Sequence, residues 1–274
     1  MKPRTVSDAG PSTNRVKGAA RRQRNGVGTE LGKPSDRPLR DDIRDHRFIR
    51  AVIVGLMMYL VTRLCVMAGA GVRAAQRVVD VREDIAIGIV DEPEPSAIST
   101  ITNVLTSWDG RWYLEIVRNG YPDSIPDNIT YDQLEARAAF FPVYPWLVRF
   151  VDFVLPGGDT IAALLINFLL GALSVVLVGV LARRLFSVAV AARSMTLYAV
   201  FPGSFVLSFA YAEVTFIVLA ALCLLFLIEE RWLLAGLAAA IGTGTRPNGI
   251  ALVAACVVAA VLAIRHRRDW ASLV

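Results

Sequence analysis

Apolar residues gather in six runs along the chain, at 48–71, 160–181, 189–209, 214–228, 232–243 and 250–264. Crossing the hydrocarbon core takes roughly twenty apolar residues in a helix. The first run meets that length, interrupted only by Arg63, and the second meets it before Arg183-Arg184 closes it. The remaining four pair into two helical hairpins. The tip of one carries Tyr211-Ala212-Glu213, and the tip of the other carries Thr245-Arg246-Pro247-Asn248-Gly249. Pro202 and Gly203 predict a kink or break inside the third run. This pattern predicts an all-α integral membrane protein, a multi-span bundle of about six helices.

Between the first two runs lies a long polar stretch. It contains Asp91-Glu92-Pro93-Glu94-Pro95, a helix-breaking and surface-exposed segment. Residues 140–150 follow, with two prolines and an apolar tail broken by Arg149 and Asp152, which suits an interfacial or re-entrant segment. Pro156-Gly157-Gly158-Asp159 then makes a turn. The expected organisation is a disordered basic tail at 1–47, a span at 48–71, a large loop with interfacial segments at 72–159, a transmembrane bundle at 160–264 and a short end at 265–274.

Composition agrees: the chain is 55% hydrophobic with mean hydropathy +0.50, values of a membrane protein. Its net charge of +5 is unevenly spread. Thirteen Lys/Arg face six Asp/Glu in residues 1–50, whereas six Arg face twelve Asp/Glu in residues 72–140. Lys/Arg excess marks the cytoplasmic side, so the tail is expected inside and the acidic loop outside. The tail has Arg21-Arg22-Gln23-Arg24 but no aromatic residue among its charges, which argues against a nucleic-acid arm. Some forty polar residues precede the first apolar run, which excludes a secretory signal. Three lysines against twenty-six arginines, with abundant Ala and Val, suggest a GC-rich bacterial genome and hence a bacterial plasma membrane.

Cys65, Cys223 and Cys256 lie in apolar runs without metal-ligand spacing and read as small buried hydrophobes. His46 and His266 flank spans among arginines and are expected at the interface. Asn128-Ile129-Thr130 matches a glycosylation sequon of little meaning in a bacterium. Gly236, Ala240 and Gly244 recur at four-residue spacing and predict a small-residue face for close helix packing. Arg63, near the outer end of the first span, is expected to be structural. Neither a strand-linked Gly-x-Gly-x-x-Gly nor a soluble stretch able to form a nucleotide-binding unit occurs. A sugar-nucleotide donor therefore has no domain to dock on.

The candidate chemistry converges by topology. Asp109, Glu213 and Arg246 all fall on the side opposite the basic ends. Asp109 stands in Ser107-Trp108-Asp109-Gly110-Arg111-Trp112-Tyr113, where aromatic neighbours partly desolvate a carboxylate and make it a better general base. Glu213 interrupts an apolar run, where a charge costs about 2.5–3.5 kcal/mol unless it faces protein or a wet cavity. Arg246 offers a guanidinium suited to grip phosphate.

Trp108-Asp109-Gly110-Arg111-Trp112-Tyr113 with Asn119-Gly120-Tyr121-Pro122 resembles the WDGxWY…xGY signature of bacterial relatives of the GPI mannosyltransferase 2 (PIG-V) family. Residues 139–145 resemble that family's FFPxYP element. Residues 201–213, ending in Tyr211-Ala212-Glu213, and 245–249 resemble two further elements in the same order, with Pro247 where serine is more usual. The resemblance implies the GT-C fold, with a large extracytoplasmic first loop holding a catalytic Asp. It implies transfer of mannose from polyprenyl-phosphate mannose to a hydroxyl acceptor on a glycolipid, polysaccharide or protein. Asp109 would be the base, Arg246 would hold the lipid phosphate, and Glu213 and Tyr211 would orient sugar or acceptor. Trp108, Arg111, Trp112, Tyr113, Tyr121, Tyr144 and Asn248 complete the implied substrate-binding set. No cofactor is implied beyond the lipid-linked sugar itself, and a divalent metal is neither required nor excluded. Members of the family run longer, so the alternative is a truncated or degenerate, non-catalytic homologue or subunit. A transporter component would need paired half-helices and internal repeats, and the two hairpins do not repeat each other's motifs.

Overall fold

The computed structural model describes residues 44–86 and 96–267. The acidic Asp91–Pro95 segment, most of the basic tail and the last seven residues lie outside the described residues. Every regular element among the described residues is helical. Helix α1 is His46–Ala86, α2 Ala97–Leu105, α3 Asp109–Asn119, α4 Val143–Val154 and α5 Asp159–Leu185. Helices α6 Val188–Val200, α7 Glu213–Ile228, α8 Trp232–Thr243 and α9 Ile250–Arg267 follow. Short 3₁₀ segments occupy Leu134–Ala139, Pro202–Ser208 and Pro247–Gly249.

The six apolar runs become elements of unequal length. Among the described residues three helices are long and apolar enough to cross a membrane, spanning His46–Glu83, Asp159–Leu185 and Pro247–Arg265. The third run breaks at Pro202: α6 and the 3₁₀ segment meet at 74°, and the pair together has the length and apolarity of a broken span or a re-entrant loop. Proline cannot supply the missing N–H at that point, so the helix ends at Val200. At sixteen and twelve residues, α7 and α8 reach only about 24 and 18 Å against a core of about 30 Å.

Helix α1 runs on for fifteen residues past the apolar run, which hydropathy alone did not predict. The extension lacks proline and carries good helix formers, while Ala74 is buried on its inner side. Charge ended the membrane run without ending the helix. The polar stretch before α4 likewise contains two helices, α2 and α3, where a loop was expected. Ser96 caps α2 by accepting the Ser99 amide at 3.1 Å.

The main core lies where α1, α5, α6 and α7 cross, around Tyr59, Val175, Met195, Val214 and Val218. Tyr59 donates to the Phe168 carbonyl at 2.9 Å across Gly171, where any Cβ would collide with the tyrosine hydroxyl. A second cluster joins α7, α8 and α9 through Cys223, Ala235, Ala238, Ala239 and Leu252. This corrects the expected small-residue face: Gly236 and Ala240 are exposed, and the packed face is Ala235, Ala238, Ala239 and Gly242. Gly244 does serve close approach, though to α4, with its Cβ position 2.9 Å from Val143 Cγ2.

Two ends of the bundle are distinct in charge. Arg183 and Arg184, at the C-terminus of α5, pair with Asp45 at 3.2 Å and with Glu229 respectively. Because α7 runs from Glu213 to this Glu229 end, Glu213 belongs to the opposite end, with the N-terminus of α5.

Arg63 is 5% exposed and acts as a latch. It donates to the Ser204 carbonyl at 2.7 Å, Ser204 Oγ at 3.1 Å and Ser208 Oγ at 3.0 Å, fixing the bent 3₁₀ segment against α1.

Candidate active site

The far end of the bundle is built by hydrogen bonds that draw four distant stretches together. The Ala210 amide donates to the Leu105 carbonyl at 3.0 Å, and Tyr211 Oη donates to the Ser107 carbonyl at 3.2 Å. Asn167, fully buried in α5, donates to the carbonyls of Phe209 and, at 2.8 Å, Tyr211. The Val143 amide donates to the Gly244 carbonyl at 3.1 Å, tying α4 to the end of α8. A buried aromatic stack fills the space between: Tyr113 meets Phe140 and Tyr144 edge-on at 5.1 and 5.0 Å.

Helix α3 is held at both ends. At its C-terminus Arg149 donates to the Val117 carbonyl at 2.6 Å, and Arg118 makes a two-point pair with Asp159 at 2.5 and 3.0 Å. Gly120 then takes φ +74°, the conformation that lets the chain leave the helix. At its N-terminus Trp108 takes φ +54°, an uncommon value for a non-glycine residue, and its ring lies parallel to Phe209 at 6.2 Å. Gly110 sits where a Cβ would be 3.3 Å from the Ala210 carbonyl oxygen. Asp109 is thereby placed at the first position of α3, half-buried, facing the start of α7.

Glu213 opens α7, where the positive end of the helix dipole favours its charge. It is ion-paired with Arg246, and the two side chains keep 26% and 28% exposure. The Pro247–Gly249 turn holds Arg246 there: the Gly249 amide donates to the Arg246 carbonyl at 2.9 Å. Glu213 Oε2 and Trp112 Nε1 are buried with no hydrogen-bond partner among the described residues.

Electrostatics couple these groups. Burial pushes the Asp109 carboxyl above its ordinary range, and the Glu213 charge adds to this, while Arg246 and the Tyr131 hydroxyl pull partly back. Burial likewise raises the hydroxyls of Tyr113 and Tyr211. Burial works against the Arg246 charge, but the Glu213 carboxylate outweighs it and holds the guanidinium more firmly protonated.

Of the residues singled out by sequence, Asp109, Tyr113, Tyr211, Glu213 and Arg246 therefore form one cluster, with Trp108 and Trp112 beside it. Tyr144 is fully buried beneath Tyr113, and Tyr121 straps the loop by donating to the Phe140 carbonyl at 2.8 Å. Arg111 is exposed and lies over the Trp112 ring at 4.2 Å, and Asn248 is exposed in its turn. The sequence reading missed Tyr131, whose ring meets Trp112 edge-on at 5.6 Å, and the two brackets Asn167 and Arg149. Asn167 was detectable as an amide inside an apolar helix; nothing local marks Tyr131. Among the described residues no group of three or more His, Cys, Asp or Glu is placed to hold a metal. The two carboxylates at the site are Asp109 and the arginine-bound Glu213.

Residues 138–273, just under half of the chain, match the model of the dolichyl-phosphate-mannose-protein mannosyltransferase family. Neither a curated protein nor a solved structure gives a match. The matched stretch runs from just before the 139–145 motif through α9 and contains that motif, Glu213 and Arg246, while Asp109 precedes it. It names protein mannosyltransferases rather than the GPI-type relatives that the motifs resemble, and mannosyl transfer is common to both. The match and the apolar helices together support a membrane glycosyltransferase of the mannosyltransferase type.

Proposed function

We propose that the chain transfers mannose from a polyprenyl-phosphate donor to a hydroxyl acceptor at the Asp109–Glu213–Arg246 end of the bundle. The observation that carries this is the cluster itself: a half-buried carboxyl beside an arginine–glutamate pair, walled by aromatic rings at one end of the helical bundle, its pKa raised by burial. Asp109 takes the proton of the acceptor hydroxyl as its oxygen attacks the anomeric carbon. The bond from that carbon to the phosphate oxygen breaks on the opposite face, and the lipid phosphate leaves with the electron pair. Attack and departure on opposite faces invert the anomeric configuration. Arg246 stabilises the charge growing on the phosphate, as preorganised donors do at such centres.

The pairing gives Glu213 a role nearer to Arg246 than to the sugar. It fixes the guanidinium, and its charge makes Asp109 more basic. Tyr211 anchors the Ser107 carbonyl and so sets the approach of the Asp109 turn. The arginines at the other end, next to the basic tail, support an extracytoplasmic site by the positive-inside rule.

The test is incorporation of labelled mannose from polyprenyl-phosphate mannose by membranes bearing the chain, beside an Asp109→Asn version at equal amount. Loss of a general base costs roughly 10²- to 10⁴-fold. Equal incorporation by the two would remove Asp109 from the mechanism.

A further inference from the structure

A second feature lies on the bundle's flank, between α1 and α5. A laterally open groove of about 560 Å³ is lined by Leu60, Leu64, Met67, Leu105 and Phe168, with Arg63 and Ser208 as its polar lining. Tyr59 bonds to Phe168 and Asp45 pairs with Arg183, so α1 runs antiparallel to α5 and the groove follows both helix axes. From Leu60 to Met67 it runs about 10 Å, much of the roughly 15 Å of hydrocarbon in one leaflet.

Arg63 makes this more than an apolar cleft. It is more than nine-tenths buried, and its Nη atoms meet neutral oxygens of Ser204, Ser208 and Thr62. Among the described residues no carboxylate pairs with it, and its Nε, also buried, has no hydrogen-bond partner. A buried charge without a counter-ion is costly, and here neutral oxygens and the Tyr59 ring, its centroid 4.9 Å from Arg63 Cζ, hold a cation beside a chain-shaped apolar wall with no carboxylate to neutralise it.

We infer that this groove binds an anionic glycerophospholipid, one acyl chain lying against Leu60, Leu64 and Phe168 and its phosphate meeting Arg63. The donor is the less fitting occupant, because its phosphate is assigned to Arg246 and the groove's length suits part of one acyl chain. The site is separate from the transfer chemistry and does not depend on which sugar is moved. Since Arg63 also latches Ser204 and Ser208, just ahead of the Phe209–Glu213 segment, bound lipid would steady the segment that carries Glu213.

The experiment is titration of the full chain in neutral detergent with phosphatidylglycerol, phosphatidylcholine and polyprenyl phosphate, read by native mass spectrometry. One phosphatidylglycerol is expected to bind at least about ten-fold more tightly than phosphatidylcholine, given the strength of charge-assisted phosphate contacts. Arg63→Met is expected to erase that preference and Arg63→Lys to restore part of it. Leu64→Trp fills the groove at a 69% exposed position without touching the latch, and is expected to abolish retention in a folded protein. Equal retention of phosphatidylcholine, unchanged binding in Leu64→Trp, or displacement of phosphatidylglycerol by equimolar polyprenyl phosphate would each overturn the assignment. Wild-type binding in an Asp109→Asn protein separates this result from the fate of the transferase reading.

Discussion

Gly249 is the point where the candidate site is most sensitive to a single added carbon. A Cβ there would lie 2.5 Å from the Gly242 carbonyl oxygen, and closer still to the backbone N and Cα of Thr243. Carbon atoms rest at about 3.5–4.0 Å, so Gly249→Ala forces the turn to move by about 1 Å. The obstacles are all backbone, and no side chain can swing aside. The turn carries Arg246, through the Gly249–Arg246 hydrogen bond of 2.9 Å, so the guanidinium is displaced from Glu213 with it. A misplacement of 1 Å costs about 10²-fold in rate, or about 2.7 kcal/mol of barrier. Overpacking of this kind costs about 1–3 kcal/mol of stability. The assay is mannosyl transfer per molecule of folded protein, with thermal unfolding in detergent measured alongside. Gly236→Ala is the control, because its Cβ would meet nothing within 4 Å and alanine favours the helix. Wild-type transfer by Gly249→Ala, or equal damage from both substitutions, would refute the placement of Arg246 in the reaction.

Other outcomes follow from the same geometry. The acid limb of kcat/KM is expected above the ordinary carboxylate range, activity falling as pH drops through the raised Asp109 pKa. Glu213→Gln removes a charge that raises this group and releases Arg246, which lowers it, so the limb should move to lower pH; Arg246→Gln should move it up. A limb that stays fixed in both variants would place the titrating base elsewhere. Because the folded pKa of Asp109 is raised, its contribution to stability is present at low pH and lost as pH rises through that value. Asp109→Asn should therefore unfold no earlier than the wild type at neutral pH while losing activity, as thermal scans will show. Asn167→Leu leaves the Phe209 and Tyr211 carbonyls without their buried donor, at about 1–3 kcal/mol for each. Its Tm should fall and its transfer rate with it; an unchanged Tm would mean those carbonyls find other donors.

Much of this architecture was written in hydropathy and charge. The apolar runs marked every long helix, Pro202 marked the 74° bend, and paired arginines marked the end of α5. Continuous apolarity reports burial in lipid, so the apolar runs passed over α2 and α3, whose apolar residues recur on one face that packs within the protein. The extension of α1 was invisible for the same reason. Charges such as Arg73 and Asp80 end a membrane run but are good company in an exposed helix, where they pair at 3.9 Å. At the site, topology alone placed Asp109, Glu213 and Arg246 at one end. That Glu213 and Arg246 pair directly depends on the turn at Gly249, which no spacing rule anticipates. Tyr131 reaches the cluster through a loop that has no periodic signal at all.

The Glu213–Arg246 ion pair also bears on how the protein is made. Ribosomes deliver Glu213 first, at the head of a helix too short to cross a bilayer, and Arg246 only after the whole of α8. During that interval the carboxylate lacks its Arg246 partner, and a charge at membrane depth raises the cost of insertion. The α7–α8 hairpin is therefore expected to enter the membrane as one unit whose electrostatics close last. Substitutions at either partner strike biogenesis as well as turnover, so the quantity of inserted protein and its specific rate carry separate information about the same two side chains.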